Sequence, residues 1–530
     1  MNALNLKNPG MVAVTVRAFV VCCAWVWLIG LHAMPHSQAP DGHGRGSEQH
    51  SFSSPKGSTQ QVTRPAWQYT LLPGAEFVDD CLLCGRPTLI LPMQGTFSLR
   101  LIDENPLFST YAVEALSFTA GVLPGTFYKI SGSGSYKVGG EVAVVQSMEL
   151  KVEVDNGFTV KSCFFKSTSP GVTRAWPLVS ISLEQSDGDM VQVFKMKFVA
   201  APLREIWFST KHGFTPGVQP PPARYVLGGD LVSDVGRVVR SNRELTGKLG
   251  LMPSPDPPDL GLDAVEILRG GEVAFSIEKD VFSETLGYLY EGDVLSDAGR
   301  IVVAYAGLVA PFSPMPPVWD PGLDALCVLP SGEVYFSVEK DFFSEKLGRM
   351  IRRGDLLSSK GYVVKTHEQL LEKFHLPPLP KDFGLDAIHV WPSGEIWFSL
   401  EDGFQDSVLG MIRDGDLLSD CGEVVYRNHE LLRNFQPLED LADFGLDAVF
   451  IVSDAMTLPV DGGRCKNMVM TVSEGFRIQW EANGRLRQVE KAPSVIGPWK
   501  PIGPVTLDTI FVDPEAPHGA PQAFYRLREW

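Results

Sequence analysis

The sequence lacks the short signatures of several common enzyme classes. Its 530 residues contain no G-x-S-x-G nucleophile motif, no phosphate-binding P-loop and no dinucleotide-binding glycine fingerprint. The segment HEQLL at residues 367–371 fails as a zinc-protease motif, because Leu371 stands where a second histidine is required. Paired carboxylates for glycoside hydrolysis need no short motif, since they can come from distant strands. A non-enzymatic role is preferred, and the question stays open at this point.

Positive charge is scarce. The 46 lysine and arginine residues are outnumbered by 63 aspartate and glutamate residues, which gives a net charge of −17. Nucleic-acid-binding proteins need basic patches, and attraction to anionic lipids needs clustered lysine and arginine. The sequence therefore argues against a nucleic-acid partner and against an electrostatic membrane anchor.

Long apolar runs are confined to the N-terminus. Residues 1–39 read as a secretory signal, with Lys7 and Arg17 before an uncharged core at 18–31 and small residues Ser37 and Ala39 at a cleavage site. The core is short for a bilayer span, so a cleaved signal is preferred over an uncleaved anchor. We predict export to the periplasm, cell surface or extracellular space, and no membrane span in the mature chain. Residues 40–65 are predicted to be a disordered linker.

Two of the 8 cysteines have the spacing of a redox or metal-binding pair. Cys81 and Cys84 form a C-x-x-C motif, which can be a redox pair or half a zinc site. No second such motif exists, so a local disulfide or a packed loop is preferred. The surrounding residues, 66–203, alternate between polar and apolar and predict an antiparallel sandwich-like or barrel domain. The glycine-rich run at 131–135 is predicted to be one of its turns.

A phrase repeated four times organises residues 204–452. It reads GLDA, an apolar run, E-x-x-FS and then GD-h-h-S, where h is apolar. Copies of GLDA are 61, 62 and 61 residues apart, a spacing typical of repeat architectures. GLDA begins at Gly261, Gly322, Gly384 and Gly445; the second phrase begins at Glu205, Glu272, Glu333 and Glu395; the third begins at Gly229, Gly292, Gly354 and Gly415.

Each repeat reads as four strands, a short helix and a proline-bearing connector, which is typical of a lengthened propeller blade. Two of the helices carry plausible capping boxes, Ser241 with Glu244 and Thr366 with Gln369. The array opens with a second strand at Glu205 and closes with a first strand at 446–452. The last strand is therefore predicted to complete the first blade and close a ring of four, which removes exposed sheet edges.

The predicted fold class is all-β. It comprises an N-terminal β-sandwich-like domain at 66–203 and a four-bladed propeller-like domain at 204–452 with a short helix in each repeat. A linker at 453–466 leads to a small C-terminal β-sandwich-like module at 467–530.

The aspartates of GLDA would form a ring around the axis of a closed propeller. Two such charges 4 Å apart repel by about 1 kcal/mol in water and about 4 kcal/mol at an effective dielectric of 20. Either a cation such as Ca²⁺ lies among them, or each aspartate points outward and accepts backbone N–H bonds. The second alternative is preferred, and no other cofactor is predicted. The four residues are Asp263, Asp324, Asp386 and Asp447.

The other repeated polar residues are predicted to have structural roles. The aspartate of GD is expected in a hairpin turn, and the glutamate of E-x-x-FS is expected to be exposed. Trp207, Tyr335 and Trp397 share one register, which Ala274 breaks. They would form either a sugar-stacking surface or part of the core between blades, and the core is preferred.

Three stretches carry resemblances. The Asp-Ala strands resemble the start of blades in hemopexin-type four-bladed propellers. The segment DDCLLCGRP at 79–87, the GLDA and GDLLS phrases, and the C-terminal GPW and FYRLR segments resemble uncharacterised exported repeat proteins of Verrucomicrobia and related bacteria. This resemblance implies origin and export, and it carries no activity.

We expect an exported, non-enzymatic binding or surface-interaction protein. Its ligand would be a polysaccharide or another surface protein, bound by the proline-rich connectors or one propeller face; its oligomeric state is not predicted. A carbohydrate-active enzyme with acidic residues at the propeller mouth is the main alternative, and a structural envelope component is a weaker one. Convergent carboxylates and aromatics in one cleft would favour the enzyme.

Overall fold

The computed structural model describes residues 66–530 with several gaps. The gaps are 82, 106, 122–124, 141–144, 169–170, 173–177, 188–190, 219–223, 254–256, 269, 318–319, 377–380, 457–464, 472–474, 483, 494–498, 514–515 and 517–522. The predicted signal at 1–39, the linker at 40–65 and most of the linker at 453–466 lie outside the described residues. The described part is all-β with four short helices, as predicted.

The N-terminal strands form one antiparallel sheet that closes on itself. The strands are β1 (Ala66–Leu71), β2 (Glu76–Cys81), β3 (Leu89–Glu104), β4 (Phe108–Gly121), β5 (Phe127–Gly139), β6 (Val145–Asp155), β7 (Val160–Ser167), β8 (Gly171–Val172), β9 (Val179–Gln185) and β10 (Gln192–Phe208). Strand β1 pairs with both β3 and β10, and β2 also bridges these two strands. We call this unit the closed sheet.

Alternating side chains fill the interior of the closed sheet. In β6, Met148, Leu150, Val152 and Val154 are buried while the residues between them are exposed. This pattern is expected for strands with one face in a core and the other in water.

The glycine-rich run at 131–135 lies inside β5, so its prediction as a turn was wrong. A Cβ on Gly132 or Gly134 would collide with the backbone of β6. Glycine is required here because two strands approach closely, a use of strand glycine that sequence alone does not distinguish from a turn.

The repeats form a four-bladed ring. Its strands after β10 are β11 (Leu231–Ser233), β12 (Arg237–Arg240), β13 (Val265–Ile267), β14 (Val273–Phe275), β15 (Val281–Ser283), β16 (Gly287–Leu289), β17 (Val294–Ser296), β18 (Arg300–Val303), β19 (Pro314–Met315), β20 (Leu326–Val328), β21 (Val334–Phe336), β22 (Phe342–Ser344), β23 (Arg349–Ile351), β24 (Leu356–Ser358), β25 (Tyr362–Lys365), β26 (Ile388–Val390), β27 (Ile396–Phe398), β28 (Phe404–Asp406), β29 (Gly410–Ile412), β30 (Leu417–Ser419), β31 (Glu423–Tyr426) and β32 (Val449–Ser453).

Each blade has four antiparallel strands. The first blade is β32-β10-β11-β12, the second β13-β14-β17-β18, the third β20-β21-β24-β25 and the fourth β26-β27-β30-β31. Strand β32 pairs with the end of β10, from Phe208 opposite Val449 to Leu203 opposite Ser453. The last strand therefore completes the first blade, as the phase of the repeats predicted. The domain boundary predicted at 203/204 falls inside the continuous strand β10.

Serine hydroxyls join each blade to the next around the ring. The serine of E-x-x-FS donates to the carbonyl of the GLDA leucine in the following blade. The four distances are Ser209 to Leu262 2.6 Å, Ser276 to Leu323 3.2 Å, Ser337 to Leu385 2.6 Å and Ser399 to Leu446 2.8 Å. These bonds explain why serine and GLDA recur together in every copy.

The repeated glutamate binds the third strand of its own blade. In all four blades it accepts the hydroxyl of the GD-h-h-S serine, from Ser233, Ser296, Ser358 and Ser419. The prediction that these glutamates are exposed was wrong for Glu205 and Glu395, which are fully buried. A carboxylate can be buried there because several donors surround it.

The aspartate of GD holds a turn and also the start of a helix. In each blade it accepts one N–H from the turn before it and one from the first residue of the helix. The helices are α1 (Asn242–Thr246), α2 (Tyr305–Val309), α3 (His367–Leu370) and α4 (Asn428–Leu431). The predicted capping boxes at Ser241 and Thr366 are present. Two 3-10 helices cover Ala310–Phe312 and Asp454–Met456.

The C-terminal module consists of two three-stranded sheets. Its strands are β33 (Cys465–Thr471), β34 (Gly475–Trp480), β35 (Arg487–Ala492), β36 (Lys500–Pro501), β37 (Ile510–Asp513) and β38 (Phe524–Glu529), paired as β33-β34-β37 and β36-β35-β38. Phe476, Ile478 and Trp480 of one sheet pack with Val489 and Tyr525 of the other. Among the described residues, none of the helices has the length and apolar character that crossing a membrane would require.

Candidate functional site: the propeller axis and the junction cleft

The glycine of GLDA makes room for a charged side chain near the propeller axis. All four glycines have positive φ, between 70° and 76°. A Cβ at these positions would collide with the side chain two residues after the repeated serine. That side chain is Glu278, Glu339 and Glu401 in the second, third and fourth blades, and Lys211 in the first. The repeats therefore place three glutamates and one lysine beside the ring of aspartates.

The four GLDA aspartates are buried in the centre of the propeller. Their exposed fractions are 7% for Asp263, 6% for Asp324, 5% for Asp386 and 2% for Asp447. The Nζ atom of Lys211 lies 2.9 Å from Asp386 Oδ2 and 3.9 Å from Asp447 Oδ1. The single lysine thus removes the fourfold symmetry of the ring and neutralises mainly one side of it.

Burial raises the pKa of Asp263, Asp324 and Asp447 well above the usual range, and the neighbouring carboxylates raise it further. The pKa of Asp386 is raised only to about 6, because Lys211 opposes the effect of burial. Burial alone would lower the pKa of Lys211, but Asp386 and Asp447 outweigh it and the net shift is upward. The carboxyl groups on the axis therefore cannot easily ionise together, and Lys211 compensates mainly Asp386.

Several carboxylate oxygens on the axis have no hydrogen-bond donor among the described residues. These are Oδ2 of Asp263, Oδ2 of Asp324 and both oxygens of Asp447. The preferred prediction, in which each aspartate accepts backbone N–H bonds, is therefore wrong for Asp447. Ligand oxygens from Asp263, Glu278 and Asp447 lie within 4.8 Å of one another.

The aromatic residues proposed to bind sugars lie mostly inside the blades. Trp207 and Trp397 are fully buried, and their Nε1 atoms donate to Glu205 and Glu395 at 2.9 and 2.8 Å. Tyr335 is half-buried. The two tryptophans belong to the core, which is the role preferred from the sequence.

Cys81 and Cys84 form a disulfide. The neighbouring carboxylate of Asp79 accepts bonds from Arg86 Nη2 at 2.6 Å, Tyr128 Oη at 2.6 Å and Gln192 Nε2 at 2.9 Å. The segment at 79–87 therefore has a structural role and stabilises the closed sheet. Sequence reasoning concentrated on the cysteines and missed Asp79.

A large cavity lies where the closed sheet, the propeller and the C-terminal module meet. We call it the junction cleft. Its volume is about 1170 Å³, and all three units contribute to its walls. Trp67 and Gln68 come from the closed sheet, Glu423 and Arg433 from the fourth blade, and Pro501 from the C-terminal module. No short motif marks these residues, because they lie far apart in the chain.

Two repeated glutamates attach the closed sheet and the C-terminal module to the propeller at the junction cleft. Glu395 Oε2 accepts the backbone N–H of Gly95 in the closed sheet at 3.0 Å. Glu205 Oε1 accepts the backbone N–H of Val505 in the C-terminal module at 2.6 Å, and its Oε2 binds Arg237 at 2.8 Å. The first and fourth blades thus use the repeat glutamate to dock the other two units.

Arg204 is a second point of attachment, and its side chain is only 3% exposed. It pairs with Asp454 at 2.7 Å and with Glu490 of the C-terminal module at 2.9 Å. A buried guanidinium with two carboxylate partners gives the three units a defined mutual arrangement.

The lining of the junction cleft includes two carboxyl groups with shifted pKa values. Burial raises the pKa of Asp234 to about 7, although the backbone N–H of Ile206 opposes the shift. Burial raises the pKa of Glu423 to about 8, and Oε1 of Glu423 has no partner among the described residues. Ala115, at a bulge in β4, also lines the cleft and has a φ of 48°, a conformation that costs a non-glycine residue energy.

Comparisons with known proteins assign no family. No protein-family profile matches the chain, and no curated protein matches it. Among solved structures it is similar to the extracellular domain of a proposed one-component system of B. thetaiotaomicron, with 8% identity, covering 84% of this chain and 94% of that chain. The TM-score is 0.19, so this similarity carries no argument about fold or function.

Proposed function

We propose that the protein is an exported, non-enzymatic binding protein that holds a polysaccharide segment in the junction cleft. The observation that carries this proposal is the cleft itself, with a volume of about 1170 Å³ and walls from three units. Ligand sites occur preferentially between domains, and about 300–1,000 Å³ is usual for small ligands. The junction cleft is somewhat larger than this range, which suits an oligomer rather than a single small molecule.

The side chains in the cleft match the chemistry of a sugar chain. Sugars present apolar C–H faces and hydroxyl groups, and they are bound by aromatic or apolar surfaces together with hydrogen-bonding side chains. Trp67 and Pro501 supply apolar surface, while Gln68 and Arg433 supply hydrogen-bonding groups. The cleft carries both signs of charge, which does not favour a strongly charged ligand.

Export is part of the proposal. It is supported by the signal-like sequence at 1–39 and by the disulfide between Cys81 and Cys84. Disulfides persist mainly in oxidising compartments outside the cytosol. The resemblance to exported bacterial repeat proteins points the same way.

Binding is favoured over hydrolysis because the acidic residues of the cleft are mostly engaged. Glycoside hydrolysis requires two available carboxyl groups. Glu205 accepts four donors, Asp234 binds the backbone of Ile206, and Glu430 accepts the N–H of Arg427 at the start of α4. Among the described residues that line the cleft, Glu423 has a buried oxygen, Oε1, without a hydrogen-bond partner. A carbohydrate-active enzyme is the second candidate function, because one oxygen of the Glu423 carboxyl group is not engaged.

The test measures retention and cleavage together. Purified full-length protein is applied to a panel of neutral, acidic and amino polysaccharides, and bound protein and new reducing ends are measured in the same samples. We expect retention on at least one polysaccharide without product. If new reducing ends appear, and Glu423→Gln abolishes them, the protein is instead a carbohydrate-active enzyme. Neither retention nor product would contradict the proposal and leave a surface protein as the leading partner.

Variants place the ligand in the cleft. Arg433→Ala and Gln68→Ala should each weaken retention about tenfold, because each removes a hydrogen-bonding group worth about 1–1.5 kcal/mol. The control is Lys248→Ala, an exposed residue just after the first-blade helix, as Arg433 follows the fourth-blade helix. Equal losses in all three variants would contradict binding in the cleft.

A further inference from the structure

The acidic side chains on the propeller axis differ from an ordinary acidic surface cluster. Asp263, Asp324 and Asp447 are each more than nine-tenths buried, and each has at least one carboxylate oxygen without a hydrogen-bond donor. Neither carboxylate oxygen of Asp447 has a hydrogen-bond donor among the described residues. A buried charge is retained in a folded protein when it is paired or coordinates a metal. Lys211 pairs closely only with Asp386, on one side of the ring.

The remaining oxygens converge on one point. One oxygen each from Asp263, Glu278 and Asp447 lies within 4.8 Å of the others. Ligands on opposite sides of Ca²⁺ are about 4.6–5.2 Å apart, since Ca²⁺–oxygen distances are about 2.3–2.6 Å. Mg²⁺ demands near-ideal octahedral geometry and loses its bound water reluctantly, so a partly buried group of carboxylates suits Ca²⁺ better. The group contains no histidine or cysteine, which Zn²⁺ generally prefers.

The site has a route to solvent. Glu278 is the outermost of the three residues, and its side chain is 34% exposed. Its only ion pair among the described residues is a long one to Lys279, at 3.7 Å, so it is available to a cation. The two aspartates below it are fixed by the repeat backbone, because they belong to GLDA turns shaped by the positive-φ glycines.

The geometry points to a binding site for one Ca²⁺ ion on the propeller axis, held by Asp263, Glu278 and Asp447. Asp263 and Glu278 belong to the second blade, and Asp447 lies two residues before the closing strand β32 of the first blade. The ion would thus fasten the last strand of the ring to the next blade. Lys211 replaces the repeated glutamate in the first blade and pairs closely with Asp386, so one ion is expected rather than several.

The experiment uses the full chain, treated with EDTA and dialysed. Calcium chloride is added during isothermal titration calorimetry and during thermal unfolding. We expect one Ca²⁺ per chain and a rise in Tm, with a smaller rise for magnesium chloride at the same concentration. A Tm that responds to neither Ca²⁺ nor EDTA, with no heat of binding, would overturn the site. An equal response to magnesium would overturn the assignment to Ca²⁺.

Variants identify the ligands. Asp447→Asn and Asp263→Asn should weaken Ca²⁺ binding at least 100-fold, and Glu278→Gln about tenfold. The matched control is Glu401→Gln, at the same repeat position in the fourth blade, where Arg353 already pairs with the carboxylate; we expect less than a threefold change.

The metal-free variants give a second readout. Without Ca²⁺, Asp447→Asn should melt at or above the parent temperature, because it removes a buried carboxyl group that lacks a hydrogen-bond donor and lies beside other carboxyl groups. If the carboxylate of Asp447 had a purely structural role, Asp447→Asn would have a lower Tm than the parent protein without Ca²⁺. Should Asp447→Asn fail to fold, the more exposed Glu278→Gln still tests the site. Unchanged Ca²⁺ affinity in every variant that folds would refute the assignment.

Discussion

At the residue scale, the repeat signature is explained by pairs of groups that need each other. The GLDA glycine is required by the side chain packed against it, the repeated serine binds a leucine carbonyl in the next blade, and the repeated glutamate accepts a serine hydroxyl in its own blade. These relations recur in all four copies. They account for most of the letters that made the repeat recognisable.

Gly384 tests the packing role of the GLDA glycine. Gly384→Ala combines a positive φ of 70° with a collision against Glu401. Gly410→Ala is the control, because Gly410 has a φ of 79° but open space around it. We expect a loss of about 1 kcal/mol for the control, which has the backbone strain alone, and about 2–3 kcal/mol for Gly384→Ala. Equal losses in urea unfolding would show that the collision is relieved without cost.

Glu423 should make stability depend on pH. Its pKa of about 8 lies above the ordinary value of a glutamate, so the folded state binds its proton more tightly than the unfolded state. Its contribution to stability is full below about pH 4.5 and is lost as the pH rises through about 8. We expect Glu423→Gln to reduce the loss of stability between pH 5 and pH 9 by about 1–3 kcal/mol. A pH profile parallel to that of the parent would contradict this role.

At the scale of elements, the sequence allowed the closed four-bladed ring to be predicted. It did not allow the strand at 131–135 or the contact between Lys211 and Asp386 to be predicted. The phase of the repeats predicted that β32 completes the first blade, because the array begins with a second strand and ends with a first. The strand at 131–135 was mistaken for a turn, since glycine and serine favour both turns and close strand packing. The replacement of glutamate by Lys211 is visible in the sequence, but its partner Asp386 is known only once the ring is closed.

The closing strand should stabilise the whole ring. A chain ending at residue 444 lacks β32, whereas a chain ending at 456 keeps it. We expect the shorter chain to lose its cooperative thermal transition, because the edge of β10 and the inner face of the first blade are exposed. The longer chain should keep a cooperative transition. Similar melting curves for the two chains would contradict closure by the last strand.

At the scale of the whole molecule, the three units are joined by buried polar contacts that no local pattern predicts. Glu205, Glu395 and Arg204 connect residues as much as 300 positions apart. Composition and periodicity describe each unit separately, so the junction cleft could not be predicted. It depends on which blades face the other two units.

Arg204 is the strongest test of this arrangement. Arg204→Met leaves Asp454 and Glu490 in a buried interface with one cation fewer, so we expect a loss of about 3–5 kcal/mol. The control is Arg224→Met, which removes an ion pair with Asp230 whose arginine is 52% exposed. That pair should contribute at most about 1 kcal/mol. Equal losses in chemical unfolding would show that Arg204 is not a joint between the units.

The most direct test of ligand binding in the junction cleft is hydrogen–deuterium exchange, followed by mass spectrometry, with and without a retained polysaccharide. We predict that the polysaccharide protects all three walls of the cleft from exchange together, at residues 66–68, 423–434 and 501–504. Protection confined to the proline-rich connectors at 253–258, 314–317 and 377–380, or to a single propeller face, would contradict binding in the junction cleft.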